Sequence, residues 1–105
     1  MAVLNITEKE FDDVIKTDKP VLIDFWAPWW PACVQLSPEL NAAETELGDK
    51  AVITQSNVDD ARELAKKFKF MSIPTLILLK DGKEVDRYVG YIEKPQLVEF
   101  ISKHI

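Results

Sequence analysis

The residues most able to do chemistry fall in one short stretch of the chain. Asp24 is the single acid of an apolar run, and Trp29, Trp30, Pro31 and Cys33 follow shortly after it. A cysteine at the start of a helix attacks disulfides as the thiolate, because unpaired N–H groups and a partial positive charge lower its pKa. An acid inside an apolar strand keeps its proton to a higher pH, because burial disfavours the carboxylate. The stretch therefore indicates a site for thiol chemistry beside a buried acid.

The flanking sequence predicts the elements that would position these residues. Thr7 and Glu10 form a capping box that starts a helix, and the continuous apolar run 21–26 is typical of a strand covered on both faces. Pro31 suits the first turn of a second helix, which should kink at Pro38. The predicted helices run from 7 to the break at 18–20, over 31–48 and over 60–68, and a last helix opens at 93–95. The predicted strands lie over 21–26, 51–54, 75–79 and 84–89. Asp60 with Glu63 should cap the helix over 60–68, and Asp81-Gly82 should form the turn between the last two strands.

The order of these elements predicts the fold class. Strands alternating with helices, followed by a hairpin and a last helix, correspond to an α/β fold of order βαβαβαββα, in which a first strand without predicted bounds precedes the helix at Thr7. The central sheet should be mixed, with helices on both faces. No repeat, low-complexity segment or linker divides the sequence, so we expect residues 1–105 to form one domain. Many chemistries share such layers, so the function has to come from the site.

Composition excludes several classes of protein. The chain is 47% hydrophobic and 30% charged, which is the balance of a globular protein. The net charge of −5 arises from interspersed signs without a basic stripe, so nucleic acid is not expected as a partner. The sequence shows no secretion signal and no apolar segment of the roughly 20 residues that a membrane span requires. A single cysteine fits a reducing compartment, and we expect a cytoplasmic protein.

The same stretch of the chain resembles a known family. Asp24-Phe25-Trp26-Ala27-Pro28-Trp29-Trp30-Pro31-Ala32-Cys33 closely resembles the strand-to-helix segment of thioredoxins, which ends in W-C-x-x-C. The resemblance covers essentially the whole chain, and its further matches are Pro38 at the family's helix kink, Ile73-Pro74-Thr75 at its cis-proline loop, Lys80-Asp81-Gly82 at its hairpin, and Gly90. Several uncommon features in the family's order and spacing make the match specific. The resemblance implies the thioredoxin fold.

The resemblance also implies roles for individual residues. Trp30 stands at the position of the attacking cysteine, and Cys33 at that of the resolving cysteine, which attacks the mixed disulfide from one helical turn deeper. Asp24 corresponds to the acid proposed to move the proton of the resolving thiol. The residues of the implied substrate-binding groove are Trp29, Pro31, Ile73 and Pro74. The implied partners are protein disulfides and a thioredoxin reductase. The sequence has no Cys/His spacing typical of a metal site, and we expect neither a metal nor a cofactor.

Asp24 has two interpretations. It is either a buried acid satisfied by polar neighbours or the proton-transfer acid that the family places there. Thioredoxins often have a lysine near this acid on the next strand, and this chain has Gln55 instead. Without that positive charge, we expect desolvation to raise the pKa of Asp24.

Three hypotheses for the function follow. The first is a thioredoxin-type disulfide oxidoreductase that is redox-impaired because its nucleophile has been replaced, by evolution or by engineering. The second is a non-catalytic module that binds a peptide or protein in the groove of Trp29, Trp30 and Pro74; Val34, where many thioredoxins have a basic residue, favours it weakly. The third has Cys33 reacting alone, which its depth in the helix argues against. We expect a monomer or a weak homodimer through the Trp30 patch.

Overall fold

The structure of the chain, a computed structural model, describes residues 3–105. Its elements follow the order βαβαβαββα, which confirms the predicted order. The strands in this range are β1 (Leu4–Asn5), β2 (Val21–Trp26), β3 (Val52–Asn57), β4 (Thr75–Lys80) and β5 (Lys83–Val89). The helices are α1 (Glu8–Val14), α2 (Pro31–Leu47), α3 (Arg62–Phe68) and α4 (Lys94–Ser102), and a 3-10 turn at Gly48–Lys50 follows α2.

The five strands form one mixed sheet in the spatial order β1-β3-β2-β4-β5. The strands β1, β3 and β2 are parallel, whereas β4 is antiparallel to β2 and β5 is antiparallel to β4. The central strand, β2, is buried along its whole length except at Trp26. Because both of its faces are covered, its sequence is a continuous apolar run rather than an alternating one.

Two helices cover each face of the sheet. On each face, the two helices pack with the strands in a separate apolar cluster. On one face, α2 and α4 pack against strand residues that include Leu22 and Leu78. On the other face, α1 and α3 pack against strand residues that include Ile23 and Phe25. Because successive side chains of a strand point to opposite faces, Asp24 shares the face of Leu22 and lies under α2 and α4. The predicted α/β class, with a mixed sheet between two helical layers, is confirmed.

The strands β4 and β5 form the predicted hairpin. Asp81 and Gly82 have φ angles of +53° and +77°. A type I′ turn requires such left-handed values at both central positions, and aspartate followed by glycine supplies them at little steric cost. The turn sets Lys80 opposite Lys83 at the start of the antiparallel ladder.

The strand β3 extends to Asn57, beyond the end predicted at 54. The sequence Thr54-Gln55-Ser56-Asn57 is too polar to predict a buried strand from its pattern. The hydroxyl groups of Thr54 and Ser56 nevertheless donate to the carbonyls of Leu22 and Ile6, at 2.9 and 2.8 Å. Buried hydroxyl groups are tolerated when they are hydrogen-bonded, so the strand continues to pair with β2 along its full length.

The capping box of α1 is present as predicted. The Thr7 hydroxyl accepts a hydrogen bond from the Lys9 N–H at 3.2 Å, and the Glu10 carboxylate accepts one from the Thr7 N–H at 2.8 Å. These contacts satisfy donors that the first turn of a helix leaves unpaired. The helix begins at Glu8, directly after the capping residue.

The predicted cap of α3 by Asp60 and Glu63 was wrong. The residue before that helix is Ala61, which makes no side-chain capping bond, and the Glu8 carboxylate of α1 instead accepts from the Leu64 N–H at 3.3 Å. The last helix opens at 93–95 as predicted, and there the Glu39 carboxylate of α2 accepts from the Lys94 N–H at 2.8 Å. Both helices thus obtain an acceptor from a neighbouring helix, which local sequence patterns do not reveal.

Candidate functional site

The N-terminus of α2 directly follows the turn that leaves β2. Trp30 is the N-cap residue, with φ −98° and ψ 121°, and Pro31 is the first helical residue, as predicted. The carbonyl of Trp30 accepts hydrogen bonds from the N–H groups of Cys33 and Val34, both at 3.1 Å. The Trp30 N–H donates to the carbonyl of Ala27, also at 3.1 Å. This turn places Trp30 at the helix start and Cys33 within the first turn.

Cys33, the only cysteine of the chain, is fully enclosed. Its exposed fraction is 0%. Burial raises the pKa of the Cys33 thiol; a backbone hydrogen bond with Ala27 lowers it by less than that, and Asp24 raises it further. A buried thiol that stays protonated at neutral pH is a poor nucleophile. The structure therefore places this sulfur on the inward side of the helix, as its spacing from Trp30 predicts.

Asp24 is almost completely buried between the sheet and the helices above it. Its exposed fraction is 1%, and its Oδ1 has no hydrogen-bond partner among the described residues. Burial raises the pKa of Asp24 to about 7. Gln55 lies opposite Asp24 in the β2–β3 register, but its Nε2 donates to Oδ1 of Asn5 at 2.7 Å. The indole N–H of Trp26, further along the same face, is likewise buried without a partner in this range.

Trp29 and Trp30 form an exposed pair of indoles. Trp29 is 63% exposed and Trp30 is 44% exposed, and their ring centroids lie 6.0 Å apart with the planes at 87°. The Nε1 of Trp29 donates to Oδ2 of Asp59 at 2.9 Å. Asp59 lies in the loop after β3. Its contact with Trp29 is not evident from the sequence, because the two residues, 30 apart in the chain, meet only through the pairing of β2 with β3. The structure thus adds Asp59 to the site.

The loop before β4 lies beside the end of β2. Phe25 pairs with Thr75 in the antiparallel ladder, which sets Pro74 level with Trp26. The Ile73–Pro74 peptide bond is cis. Pro74 is buried and Ile73 is half-buried. The loop therefore exposes part of the Ile73 side chain, whereas the proline ring is enclosed.

Three further observations concern metal ligands, the single histidine and the length of the helices. Among residues 3–105, no three histidine, cysteine, aspartate or glutamate side chains are grouped closely enough to hold a metal ion. The single histidine, His104, lies in the C-terminal turn after α4, with its Nε2 3.4 Å from Oδ2 of Asp86. None of the helices in the described part of the chain is long and apolar enough to span a membrane.

The chain is similar to known proteins along nearly its whole length. A family model described as Thioredoxin matches residues 2–103. The chain belongs to the thioredoxin family. The thioredoxin of Haemophilus influenzae is 41% identical to it, over 98% of this chain and 97% of that protein. The thioredoxin of Bacillus subtilis is also 41% identical, over 100% of both chains.

Solved structures agree with the thioredoxin fold. The thioredoxin of Malassezia sympodialis matches with a TM-score of 0.87 and 30% identity, covering 98% of this chain and 90% of that one. Chloroplastic thioredoxin z matches with a TM-score of 0.88 at 20% identity, covering 99% of this chain and 95% of that one, which supports the fold alone. The predicted family and fold are therefore confirmed, and thioredoxins as a family are disulfide oxidoreductases.

Proposed function

We propose that this chain is a thioredoxin-family protein whose dithiol chemistry is disabled at one residue, Trp30. The observation that supports this most is an exposed indole at the N-cap of α2 with a fully buried thiol, Cys33, in the same helical turn. The resemblance places the family's attacking cysteine at position 30. An indole has no sulfur with which to attack a disulfide, so the exposed member of the dithiol pair is missing.

Disulfide reduction by dithiol exchange needs two protein sulfurs. The first thiolate attacks the substrate disulfide, forms a mixed disulfide and releases one substrate thiolate. The second thiolate attacks the mixed disulfide, releases the other substrate thiolate and closes an internal disulfide, so two electrons pass from protein to substrate. Cys33 is a free thiol and the only cysteine, so this chain has no internal disulfide to form.

Asp24, Cys33 and Pro74 of the family's site are retained in the sequence, whereas Val34 and Gln55 depart from it. Asp24 would accept the proton of a resolving thiol at Cys33 in a two-cysteine form, and its pKa of about 7 suits proton transfer near neutral pH. The proposed substrate groove is lined by the side chains of Trp29, Pro31 and Ile73, and the buried Pro74 fixes the loop that carries Ile73. By family, the partners of a two-cysteine form would be protein disulfides and a thioredoxin reductase in the cytoplasm.

Turnover of insulin with a dithiol reductant tests the proposal. We expect the chain to give the rate of the reductant alone, and its Cys33→Ala variant to give that same rate, because neither can complete a dithiol cycle. Turnover close to that of a two-cysteine thioredoxin, lost in Cys33→Ala, would overturn the proposal.

A second candidate function is binding without chemistry, which the exposed indoles favour. Tryptophan is enriched among the residues that dominate binding energy at protein interfaces. Val34, one helical turn after Trp30, is 52% exposed and extends the apolar surface. The tryptophan emission of the chain, titrated with reduced and alkylated insulin B chain, tests for binding that needs no disulfide. A saturable change that is absent from Trp30→Ser supports this function, and no change contradicts it.

A further inference from the structure

We propose that Trp29, Trp30 and Asp59 form a subsite for a cationic side chain, namely the guanidinium group of an arginine in a bound polypeptide segment. The inference rests on the second candidate function, because it names the chemistry that the apolar groove would recognise. The subsite needs no thiol, so it is independent of the redox state of the protein.

The two indoles meet edge to face and form a corner. Their planes stand at 87° with centroids 6.0 Å apart, and both rings are well exposed. The faces of aromatic rings attract cations electrostatically, and tryptophan does so most strongly. A flat guanidinium group can stack on one indole face while it approaches the face of the second. The exposed corner of Trp29 and Trp30 therefore offers two attractive surfaces to one planar cation.

Asp59 holds this corner in place and supplies a negative charge. Its Oδ2 accepts the Trp29 indole N–H at 2.9 Å, which fixes the ring before any ligand arrives. Its own backbone N–H donates to the Asn57 side chain at 3.0 Å, so the loop position of the carboxylate is also defined. Asp59 is exposed. Its Oδ1 makes no hydrogen bond within the described residues and remains able to accept from a guanidinium stacked on Trp29.

The surrounding charges also favour a cation. Segment 26–32 has no charged side chain, and loop 57–61 adds the acids Asp59 and Asp60. The next basic residue along the chain is Arg62, and no ion pair joins it to Asp59 within residues 3–105. The carboxylate is therefore not neutralised by a neighbour.

The N-terminus of α2 opposes a cation, but its first turn has few unpaired donors. Pro31 has no N–H, and the N–H groups of Trp30, Cys33 and Val34 are all hydrogen-bonded. Ala32 is left as the donor of that turn that would attract an anion. This single N–H favours an anion, whereas the Asp59 carboxylate and the two indole faces favour a cation. The corner should therefore bind a cation more tightly than an anion.

Three peptides that differ in one side chain test this preference. Acetylated and amidated pentapeptides with arginine, citrulline or glutamate between pairs of glycines are titrated into the ¹⁵N-labelled chain, and the indole N–H signals of Trp29 and Trp30 are followed by NMR. We expect saturable shifts with the arginine peptide, which binds about two- to fivefold more tightly than the isosteric, neutral citrulline peptide. The glutamate peptide should bind most weakly.

An Asp59→Asn variant separates charge from structure. The asparagine side-chain oxygen can still accept the Trp29 N–H, so a merely structural role for Asp59 predicts no change in selectivity. We expect the arginine peptide to lose its advantage over the citrulline peptide, which itself binds as before. Asp49→Asn, which removes an exposed carboxylate after α2, is the matched control and should leave the selectivity unchanged.

Several results would overturn the subsite. These are equal affinity for arginine and citrulline, a preference for glutamate, no binding of any peptide, or the same loss in Asp49→Asn as in Asp59→Asn. If alkylated insulin B chain binds but arginine is not preferred, the subsite fails and the binding function survives. If neither the B chain nor any peptide binds, both fail, and the insulin turnover result is unaffected.

Discussion

The backbone N–H of Cys33 donates to the carbonyl of Trp30 at 3.1 Å, which connects the residue that carries the single thiol of the chain to the residue that we propose to stand at the family's attacking position. The bond lies in the first turn of α2. The two residues are close in the helix, but the indole of Trp30 is exposed and the sulfur of Cys33 is buried. Trp30 is 44% exposed and Cys33 is 0% exposed. The only thiol of the chain is therefore enclosed and does not contact solvent.

We predict that Cys33 is nearly inert in the folded protein. A bulky maleimide at pH 7 should label it more than about tenfold more slowly than in denaturant, because access requires local opening of the helix. A variant with Cys33→Ala and an exposed thiol from Ser102→Cys is the control, and it should label at similar rates in both conditions. Equal rates for Cys33 folded and denatured would contradict its enclosure.

We predict that Asp24→Asn stabilises the protein at pH 7. The pKa of Asp24 is raised from 3.8 to about 7 by burial. A raised carboxyl pKa means that the folded state binds the proton more tightly than the unfolded state, so stability falls as pH rises from about 4 to about 7. Burial of the Asp24 carboxylate lowers the free energy of unfolding by about 4 kcal/mol at neutral pH. In Asp24→Asn the buried amide is unpaired and has a cost of its own, so we expect the substitution to raise the free energy of unfolding by about 2 kcal/mol.

Denaturant unfolding at pH 7 and pH 4 measures this effect of Asp24. The midpoint of Asp24→Asn should exceed that of the unaltered chain at pH 7, and the difference should shrink or vanish at pH 4, where the acid is protonated in the folded state. A lower midpoint for Asp24→Asn than for the unaltered chain at pH 7, with an unchanged denaturant slope, would contradict this prediction. It would show that contacts stabilise the Asp24 carboxylate by more than burial destabilises it.

Local patterns were enough to predict most of the fold. The capping box at Thr7, the turn at Asp81-Gly82 and the proline at the start of α2 each satisfy backbone requirements within a few residues. The continuous apolar run of β2 reflects burial on both faces. The burial of Cys33 follows from its spacing along one helix from Trp30. Such features are encoded nearby in the chain, so sequence alone predicts them.

Contacts between distant segments were not predictable in the same way. The Trp29 N–H finds its acceptor in Asp59, after another strand, and the Leu64 N–H finds its acceptor in Glu8 of another helix. These pairs depend on how strands and helices are arranged in three dimensions. The extra length of β3 likewise depends on carbonyl groups of its neighbours, which accept from Thr54 and Ser56.

We predict weak self-association through the exposed indoles. An apolar face that includes Trp29, Trp30 and Pro31 can bury the same residues on both copies of a two-fold dimer. Sedimentation at high concentration should show a dimer for the unaltered chain and a monomer for Trp30→Ser. A monomer in both cases removes this prediction, and a dimer that persists in Trp30→Ser places the interface elsewhere.

We propose that one residue, Trp30, separates this chain from an active thioredoxin. Insulin turnover by Trp30→Cys tests it most directly, with Trp30→Ser as the matched control, since the two variants differ only in sulfur against oxygen. We predict that Trp30→Cys reduces insulin at least about tenfold faster than either the unaltered chain or Trp30→Ser, because an exposed thiol at the start of α2 is restored beside Cys33. A folded Trp30→Cys protein with no more activity than Trp30→Ser would contradict the claim.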